Sequence, residues 1–266
     1  MKARKRFGQH FLEPAWVRKV VAAIAPQPDD VFVEVGPGRG ALTRALAPLV
    51  SRVLAIEVDR DLAASLRAGA PENVTIVEGD FLETGPGDLP DAGRPWRAAG
   101  NLPYNLSTPI LFHLLALADE GRRIRDATLM LQREVAERLA ARPGTKAWGV
   151  LSATQQLRAA VEKRFVLPPG AFRPPPRVHS AVVNLRYHPP APALAEGTPF
   201  DALVRTLFMQ RRKVLDNALE PFASGRGRSA GDALAAAGID GRRRPETLGL
   251  DELAAIAAVF LRPPNP

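Results

Sequence analysis

Four polar residues recur at nearly constant intervals early in the chain: Glu34, Glu57, Asp80 and Asn101, separated by 23, 23 and 21 positions. Each closes a short run with strand character: Val31-Phe32-Val33-Glu34-Val35, Arg52-Val53-Leu54-Ala55-Ile56-Glu57, Val74-Thr75-Ile76-Val77-Glu78 leading to Gly79-Asp80, and Arg97-Ala98-Ala99 leading to Gly100-Asn101. Short apolar, β-branched runs bounded by turn residues predict buried strands. Helical spacing fills the gaps, with Leu42, Ala45, Leu46 and Leu49 on one face after the first run and a helix from Arg60 to about Ala68 after the second. Each interval is therefore one strand plus one helix. Successive βα units force a parallel sheet, because parallel neighbours need a crossover between them. In such a sheet ligands sit beyond the carboxyl ends of the strands. The four residues are thus expected on one rim of one cleft. Arg97-Ala98-Ala99 is a poor strand former by propensity; only its place in the repeat predicts a strand there.

The rest of the chain follows from the same signals. A helix over about Pro109–Leu117 precedes a fifth strand, Ala127-Thr128-Leu129-Met130-Leu131, and residues 132–158 read as helical with an interruption at Arg142-Pro143-Gly144. Alternating apolar positions return at 159–166 and 180–187, on either side of a Pro-rich link at 168–176, which predicts an antiparallel pair closing the sheet. His188-Pro189-Pro190-Ala191-Pro192 reads as a linker. Beyond it, helices are expected near Phe200–Leu219, Ala230–Ala237 and Leu250–Leu261. The expected division is an α/β domain over residues 1–188, including a basic N-terminal arm, and a small all-helical domain over 189–266.

The net charge of +8 is unevenly spread. Residues 1–25 hold six Lys/Arg and one acid, residues 26–120 hold seven and fourteen, and residues 121–180 hold twelve and four. An acidic block is flanked by basic segments, the pattern expected where the flanks dock a polyanion. The absence of cysteine removes disulfides, thiolate metal sites and a Cys nucleophile, and four scattered histidines make no metal site. No apolar run has the roughly 18–20 residues that cross a bilayer, and the basic start is followed by Phe7-Gly8-Gln9-His10 rather than an apolar stretch, so neither a membrane nor a secretory signal is expected.

Glu34-Val35-Gly36-Pro37-Gly38-Arg39-Gly40 is a glycine-rich turn after a strand, which lets backbone approach a ligand. Glu57 ends the second strand, where nucleotide-binding sheets place a carboxylate on ribose hydroxyls. Asp80, followed by Phe81, can accept from an adenine amine, or cap a helix instead. Together they imply an adenosine-containing cofactor, and both NAD and S-adenosylmethionine qualify. Asn101-Leu102-Pro103-Tyr104 separates the two. An exocyclic amine on a nucleobase is a poor nucleophile, because its lone pair is delocalised into the ring. If the Asn101 side-chain oxygen and a neighbouring carbonyl accept its two N–H bonds, the lone pair is held toward an electrophile and the developing positive charge is stabilised, the mirror image of an oxyanion hole. Tyr104 offers a face for the base. Hydride transfer has no use for such a corner; a methyl sulfonium donor does.

Gln9-His10-Phe11-Leu12, the Glu34–Gly40 turn, Ile56-Glu57-Val58-Asp59, Gly79-Asp80, Asn101-Leu102-Pro103-Tyr104 and Phe172-x-Pro174-x-Pro176-x-Val178-x-Ser180, in this order and spacing, resemble the ribosomal RNA adenine N6-dimethyltransferases. The resemblance runs from residue 6 to about 260. It implies a Rossmann-like class I methyltransferase domain with a small all-helical C-terminal domain and S-adenosyl-L-methionine as cofactor. It further implies that His10, Leu12, Gly36, Glu57, Asp80 and Asn101 contact the cofactor, that Asn101, Leu102 and Tyr104 hold the target adenine, and that Phe172 stacks on its other side. Many members have Asn where this chain has His10. Phe208-x-x-Arg211-Arg212-Lys213-x-Leu215-x-Asn217 and Arg244-Pro245-Glu246-Thr247-Leu248 resemble the branch that dimethylates two adjacent adenosines near the 3′ end of small-subunit (16S) rRNA, not the macrolide-resistance branch. The implied partner is rRNA within a pre-ribosomal 30S particle, met by Lys2, Arg4, Lys5 and Arg6, the Arg122-Arg123-Ile124-Arg125 turn, and Arg211-Arg212-Lys213. A cytoplasmic monomer acting on RNA, without DNA or a metal, is the expectation.

Overall fold

The computed structural model describes residues 10–120 and 123–261. In chain order the elements up to residue 187 are β1 (Phe11–Leu12), α1 (Pro14–Ile24), β2 (Val31–Val35), α2 (Ala41–Leu46), β3 (Arg52–Glu57), α3 (Arg60–Arg67), β4 (Val74–Glu78), β5 (Trp96–Asn101), α4 (Ser107–Asp119), β6 (Ile124–Gln132), α5 (Arg133–Leu139), α6 (Val150–Arg158), β7 (Ala159–Leu167), β8 (Phe172–Arg173) and β9 (Ser180–Tyr187). The chain forms two compact units: residues up to Ala136 with Ala160–Tyr187, and Glu137–Ala159 with the chain from His188 onward. The second unit therefore draws on a segment well before 188/189, because Trp148, Ala153 and Leu157 belong to its apolar core.

The first unit is built on a seven-stranded sheet of order β4-β3-β2-β5-β6-β9-β7. The pairs β3–β4, β2–β3, β2–β5 and β5–β6 are parallel, while β9 runs antiparallel to β6, with Met130 opposite Val182. All five residues of β2 are buried, as a central strand covered on both faces requires. The strand order reverses between β2 and β5, so the cleft at their carboxyl ends is where such a sheet binds ligands. The poor propensity of β5 has a packing reason. Val35 pairs with Gly100, and a Cβ at residue 100 would lie 2.5 Å from the Val35 carbonyl oxygen. Short side chains let these strands run together.

Helix α1 is not anticipated by the reading of residues 1–25 as a basic arm. Pro14 opens it, and Val17, Val20, Ala23 and Ile24 bury one face in the core beside Phe32, Leu46 and Phe172. Arg97 fastens its end: the guanidinium donates to the carbonyls of Ile24 at 2.8 Å and Ala25 at 3.3 Å, and pairs with Asp30 at 2.6 Å and Asp126 at 2.8 Å. Asp59 caps α3 by accepting from the N–H groups of Asp61 and Leu62.

The second unit is helical, with α6 joined by α7 (Phe200–Met209), α8 (Leu215–Ser224), α9 (Ala230–Ala236) and α10 (Leu250–Val259). Trp148, Phe200, Leu207, Leu219 and Ile256 fill its core, and the Trp148 indole N–H donates to the Leu248 carbonyl at 3.1 Å. The single helix expected over Phe200–Leu219 is two helices, broken at 210–214. The break is stabilised from outside the segment: the carbonyls of Arg243 and Gly241 take the N–H groups of Leu215 and Asp216, and Arg211 is drawn to Glu246 at 2.9 Å and to the carbonyls of Lys146 and Thr145.

Candidate active site

A cavity of about 360 Å³ opens at the carboxyl ends of β2, β3 and β5, in the first unit. Its wall includes Glu34, Gly36, Gly38, Glu57, Asn101, Leu102 and Tyr104, so three of the four residues of the repeat seen in the sequence converge there and Asp80 does not. The glycine turn between β2 and α2 takes positive φ at Gly36, Gly38 and Gly40, a region that side chains disfavour. Gly36 has no heavy atom within 4 Å of where its Cβ would stand, which leaves open backbone on the cavity side.

Glu57 holds this turn in place. One carboxylate oxygen accepts the Gly38 N–H at 2.9 Å and the other accepts the Asp59 N–H at 2.9 Å. Each oxygen keeps a second lone pair. Burial pushes the Glu57 carboxyl above its ordinary range, against the hydrogen bonds from Asp59 and Gly38. Glu34 is more deeply placed: burial, with the Glu57 charge adding, pushes it up to about 7. Its Oε2 and the Thr43 hydroxyl are buried and make no hydrogen bond of ordinary geometry, but the Thr43 hydroxyl and N–H are near enough to pull the carboxyl back down against burial, so Thr43 is the polar neighbour of Glu34.

The turn after β5 is rigidly framed. The Leu102 N–H donates to the Met130 carbonyl at 3.2 Å, the Leu106 N–H to Pro103 at 3.0 Å, and the Ser107 hydroxyl to Pro103 at 3.0 Å. Tyr104 Oη and Ser180 Oγ lie 2.7 Å apart, which joins the two halves of the sequence motif set across 76 positions. Burial raises the Tyr104 hydroxyl above its usual range, so the ring stays neutral.

Not every expected residue reaches the cavity. His10 and Leu12 do. Asp80 is half-buried and spends one carboxylate oxygen on the Leu82 N–H at 2.9 Å, capping a short 3-10 turn over Phe81–Glu83; it does not line the cavity. Phe172, expected to stack on the base, is fully buried in the core and paired with Leu12 through β1–β8. Its neighbour Arg173 lines the cavity instead. Arg39, whose guanidinium sits 4.3 Å over the Phe11 ring, also lines it. Arg39 lies within the glycine turn marked in the sequence, although its side chain was given no role there, whereas Arg173 owes its place to the long-range β1–β8 pairing, which leaves no local trace.

Among the basic residues expected to meet RNA, Arg212 and Lys213 are exposed, Arg211 is tied within its own unit, and Arg125 pairs with Asp30 and Asp126. Lys2, Arg4, Lys5, Arg6 and Arg122 lie outside the described residues, as does Gln9. No helix among the described residues is long and apolar enough to cross a membrane.

What sets this cavity apart from a dinucleotide site is the amide, proline and tyrosine corner that faces the glycine turn. With it, the fold and the cavity define a Rossmann-like methyltransferase. Comparison with known proteins narrows the class: the family described as ribosomal RNA adenine dimethylase matches residues 1–249, and the chain belongs to that family. It is 45% identical to "Ribosomal RNA small subunit methyltransferase A" of Alcanivorax borkumensis, over 99% of this chain and 91% of the relative, and 45% identical to the protein of the same name from Laribacter hongkongensis, over 96% and 94%. Among solved structures, the 23S rRNA methyltransferase ErmE aligns with a TM-score of 0.68 at 26% identity, covering 95% of this chain and all of that one. A dimethyladenosine transferase from Plasmodium falciparum aligns with a TM-score of 0.78 at 24% identity, over 93% and 96%, and shares the fold.

Proposed function

We propose that the protein transfers methyl groups from S-adenosyl-L-methionine to N6 of two adjacent adenosines near the 3′ end of small-subunit (16S) rRNA, within a 30S precursor particle in the cytoplasm, and that it acts as a monomer. The relatives' name and the Arg211–Lys213 and Arg244–Leu248 motifs support the substrate. The placement of Asn101 and Leu102 beside the glycine turn carries the chemistry.

The chain's residues fit the cofactor. The open backbone at Gly36 can lie against it, and Glu57 retains lone pairs for hydroxyl groups. Asp80 stands outside the cavity wall, past the end of β4 and next along the sheet from Glu57, with one carboxylate oxygen uncommitted among the described residues; it would take the adenine amine of a cofactor that extends beyond the cavity along the strand ends. When bound, the cofactor supplies a methyl group on a sulfonium, an electrophile.

The Asn101 side-chain oxygen and the Leu102 carbonyl accept the two N–H bonds of the target amine and aim its lone pair. Tyr104, fixed by Ser180, presents its ring to the base, a stack worth roughly 1–3 kcal/mol. As nitrogen becomes cationic, the two acceptor dipoles stabilise it, and the proton then leaves to water. Positioning supplies most of the acceleration. The base reaches the cavity only by leaving its stack, at a cost of a few kcal/mol. After one transfer a single N–H remains, and one acceptor still holds it for the second. The exposed Arg212 and Lys213 lie on the surface expected to face RNA phosphates.

The test is mass mapping of methylated adenosines in small-subunit particles from cells lacking the protein, before and after incubation with it and the cofactor. Two adjacent dimethyladenosines near the 3′ end of 16S rRNA are expected only after incubation. An unchanged map contradicts the proposal.

A further inference from the structure

Residues 10–13 form a strap along the cavity, held by contacts distant in sequence. Phe11 pairs with Arg173 and Leu12 with Phe172, the Glu13 N–H donates to the Ala171 carbonyl at 2.8 Å, and His10 Nδ1 lies 2.8 Å from the Pro174 carbonyl. The His10 ring stacks on Tyr104 at 5.4 Å between centroids, with 28° between planes. The Phe11 ring packs on the glycine turn, where a Cβ at Gly38 would meet it at 3.1 Å. At the end of this strap, the His10 carbonyl accepts from Asn101 Nδ2 at 2.6 Å.

That last bond settles which way the Asn101 amide faces. A carbonyl oxygen can only accept, so the amide nitrogen must turn toward it and the amide oxygen must turn away. No donor among the described residues reaches that oxygen, and Asn101 lines the cavity. The last torsion of an asparagine side chain is broad and roughly two-fold, so without the His10 carbonyl the amide could turn over. It would then present N–H groups to an amine that must itself donate. We infer that the strap of residues 10–13 is a positioning element for Asn101, its His10 carbonyl holding the amide oxygen toward the target amine. Because the strap also covers the glycine turn through Phe11, one element sets both the cofactor wall and the acceptor. The inference rests on the reading of Asn101 as the acceptor of the amine.

Glu13→Pro tests it. Glu13 has φ −72° and ψ 144° and precedes Pro14, values that proline adopts without strain. The substitution therefore removes the N–H that bonds Ala171 while leaving the backbone path unchanged. With full-length protein saturated with S-adenosylhomocysteine, exchange of the Asn101 side-chain N–H with solvent, followed by NMR, is expected to be slow in the wild type and roughly tenfold faster in the variant. In assays with small-subunit particles, kcat is expected to fall roughly tenfold, with KM for the particle nearly constant, as for a misplaced acceptor. Glu13→Ala keeps the N–H and should recover most of that loss. Wild-type Asn101 N–H exchange as fast as that of an exposed amide overturns the inference, as does an equal loss of kcat in the Ala and Pro variants. The exchange readout does not depend on whether Asn101→Ala abolishes methylation, so failure of the strap and failure of the proposed function are distinct results.

Discussion

Val35 and Gly100 face each other across the middle of the sheet so closely that a methyl group at residue 100 would stand 2.5 Å from the Val35 carbonyl oxygen. The next residues along these strands are Gly36 and Asn101, so this contact sets the distance between the glycine turn and the amide corner. Gly100→Ala must push β2 and β5 apart or distort both. Overpacking of this kind costs about 1–3 kcal/mol, so the urea midpoint should fall and methyl transfer should drop with it. Wild-type stability in this variant would show that the two strands have slack.

Glu34 gives the stability a pH dependence of known sign. Its carboxyl sits at about 7 in the folded protein against 4.5 in the unfolded chain, because burial disfavours the charged form. The folded state therefore binds the proton more tightly. The resulting stabilisation is fully present below pH 4.5 and is lost as pH rises through about 7, by roughly 3 kcal/mol at 1.36 kcal/mol per pKa unit. Glu34→Gln should remove most of this slope and leave the variant the more stable protein above pH 7. Urea midpoints at pH 5 and pH 8 measure it; parallel profiles for the two proteins would contradict it.

Glu57 couples the cofactor wall to the sheet. Glu57→Ala frees the Gly38 and Asp59 N–H groups as well as removing the acceptor proposed for the cofactor. Affinity for S-adenosylhomocysteine should weaken by at least about tenfold, with a stability loss of roughly 1–3 kcal/mol for the two unpaired donors. Calorimetric titration and urea unfolding of the same preparation separate the two effects. Unchanged affinity would place the cofactor elsewhere.

In the helical unit, neighbouring arginines have different work. Arg211 bonds Glu246 and the carbonyls of Thr145 and Lys146, whereas Arg212 and Lys213 are exposed. Arg211→Ala should lower stability by roughly 1–3 kcal/mol. Replacing Arg212 and Lys213 together should leave stability within about 0.5 kcal/mol and reduce the salt slope of RNA binding by about 2. An unchanged slope would move the RNA-facing surface elsewhere.

The parallel sheet was legible because it repeats: a carboxylate or amide near each strand end at a constant interval reports a βα unit even where Arg97-Ala98-Ala99 has little strand propensity. The cavity residues of β2, β3 and β5 followed from that period alone. Helix α1 was also within reach, since Pro14 and the Val17, Val20, Ile24 spacing are ordinary start and face signals, but the basic charge of the first 25 residues obscured them. The break between α7 and α8 was not legible. Gln210-Arg211-Arg212-Lys213-Val214 carries no Gly or Pro, and the carbonyls that take over the donors of α8 come from residues 241 and 243. The strap was equally hidden, because strand pairing between residues 11–12 and 172–173 leaves no local trace. That pairing also explains why Phe172, read from its motif as a stacking ring, sits in the core.

The proposed chemistry stands on the grip of the Asn101 amide oxygen on the target amine. Single-turnover methyl transfer by Asn101→Ala to small-subunit particles, with the cofactor saturating, is the sharpest check of that grip. Loss of one fixed dipole aimed at developing charge costs about 10²–10³ in rate, so the variant should be slower by at least that factor while remaining folded. A rate within threefold of wild type, on the order of 0.7 kcal/mol or less, would contradict the account.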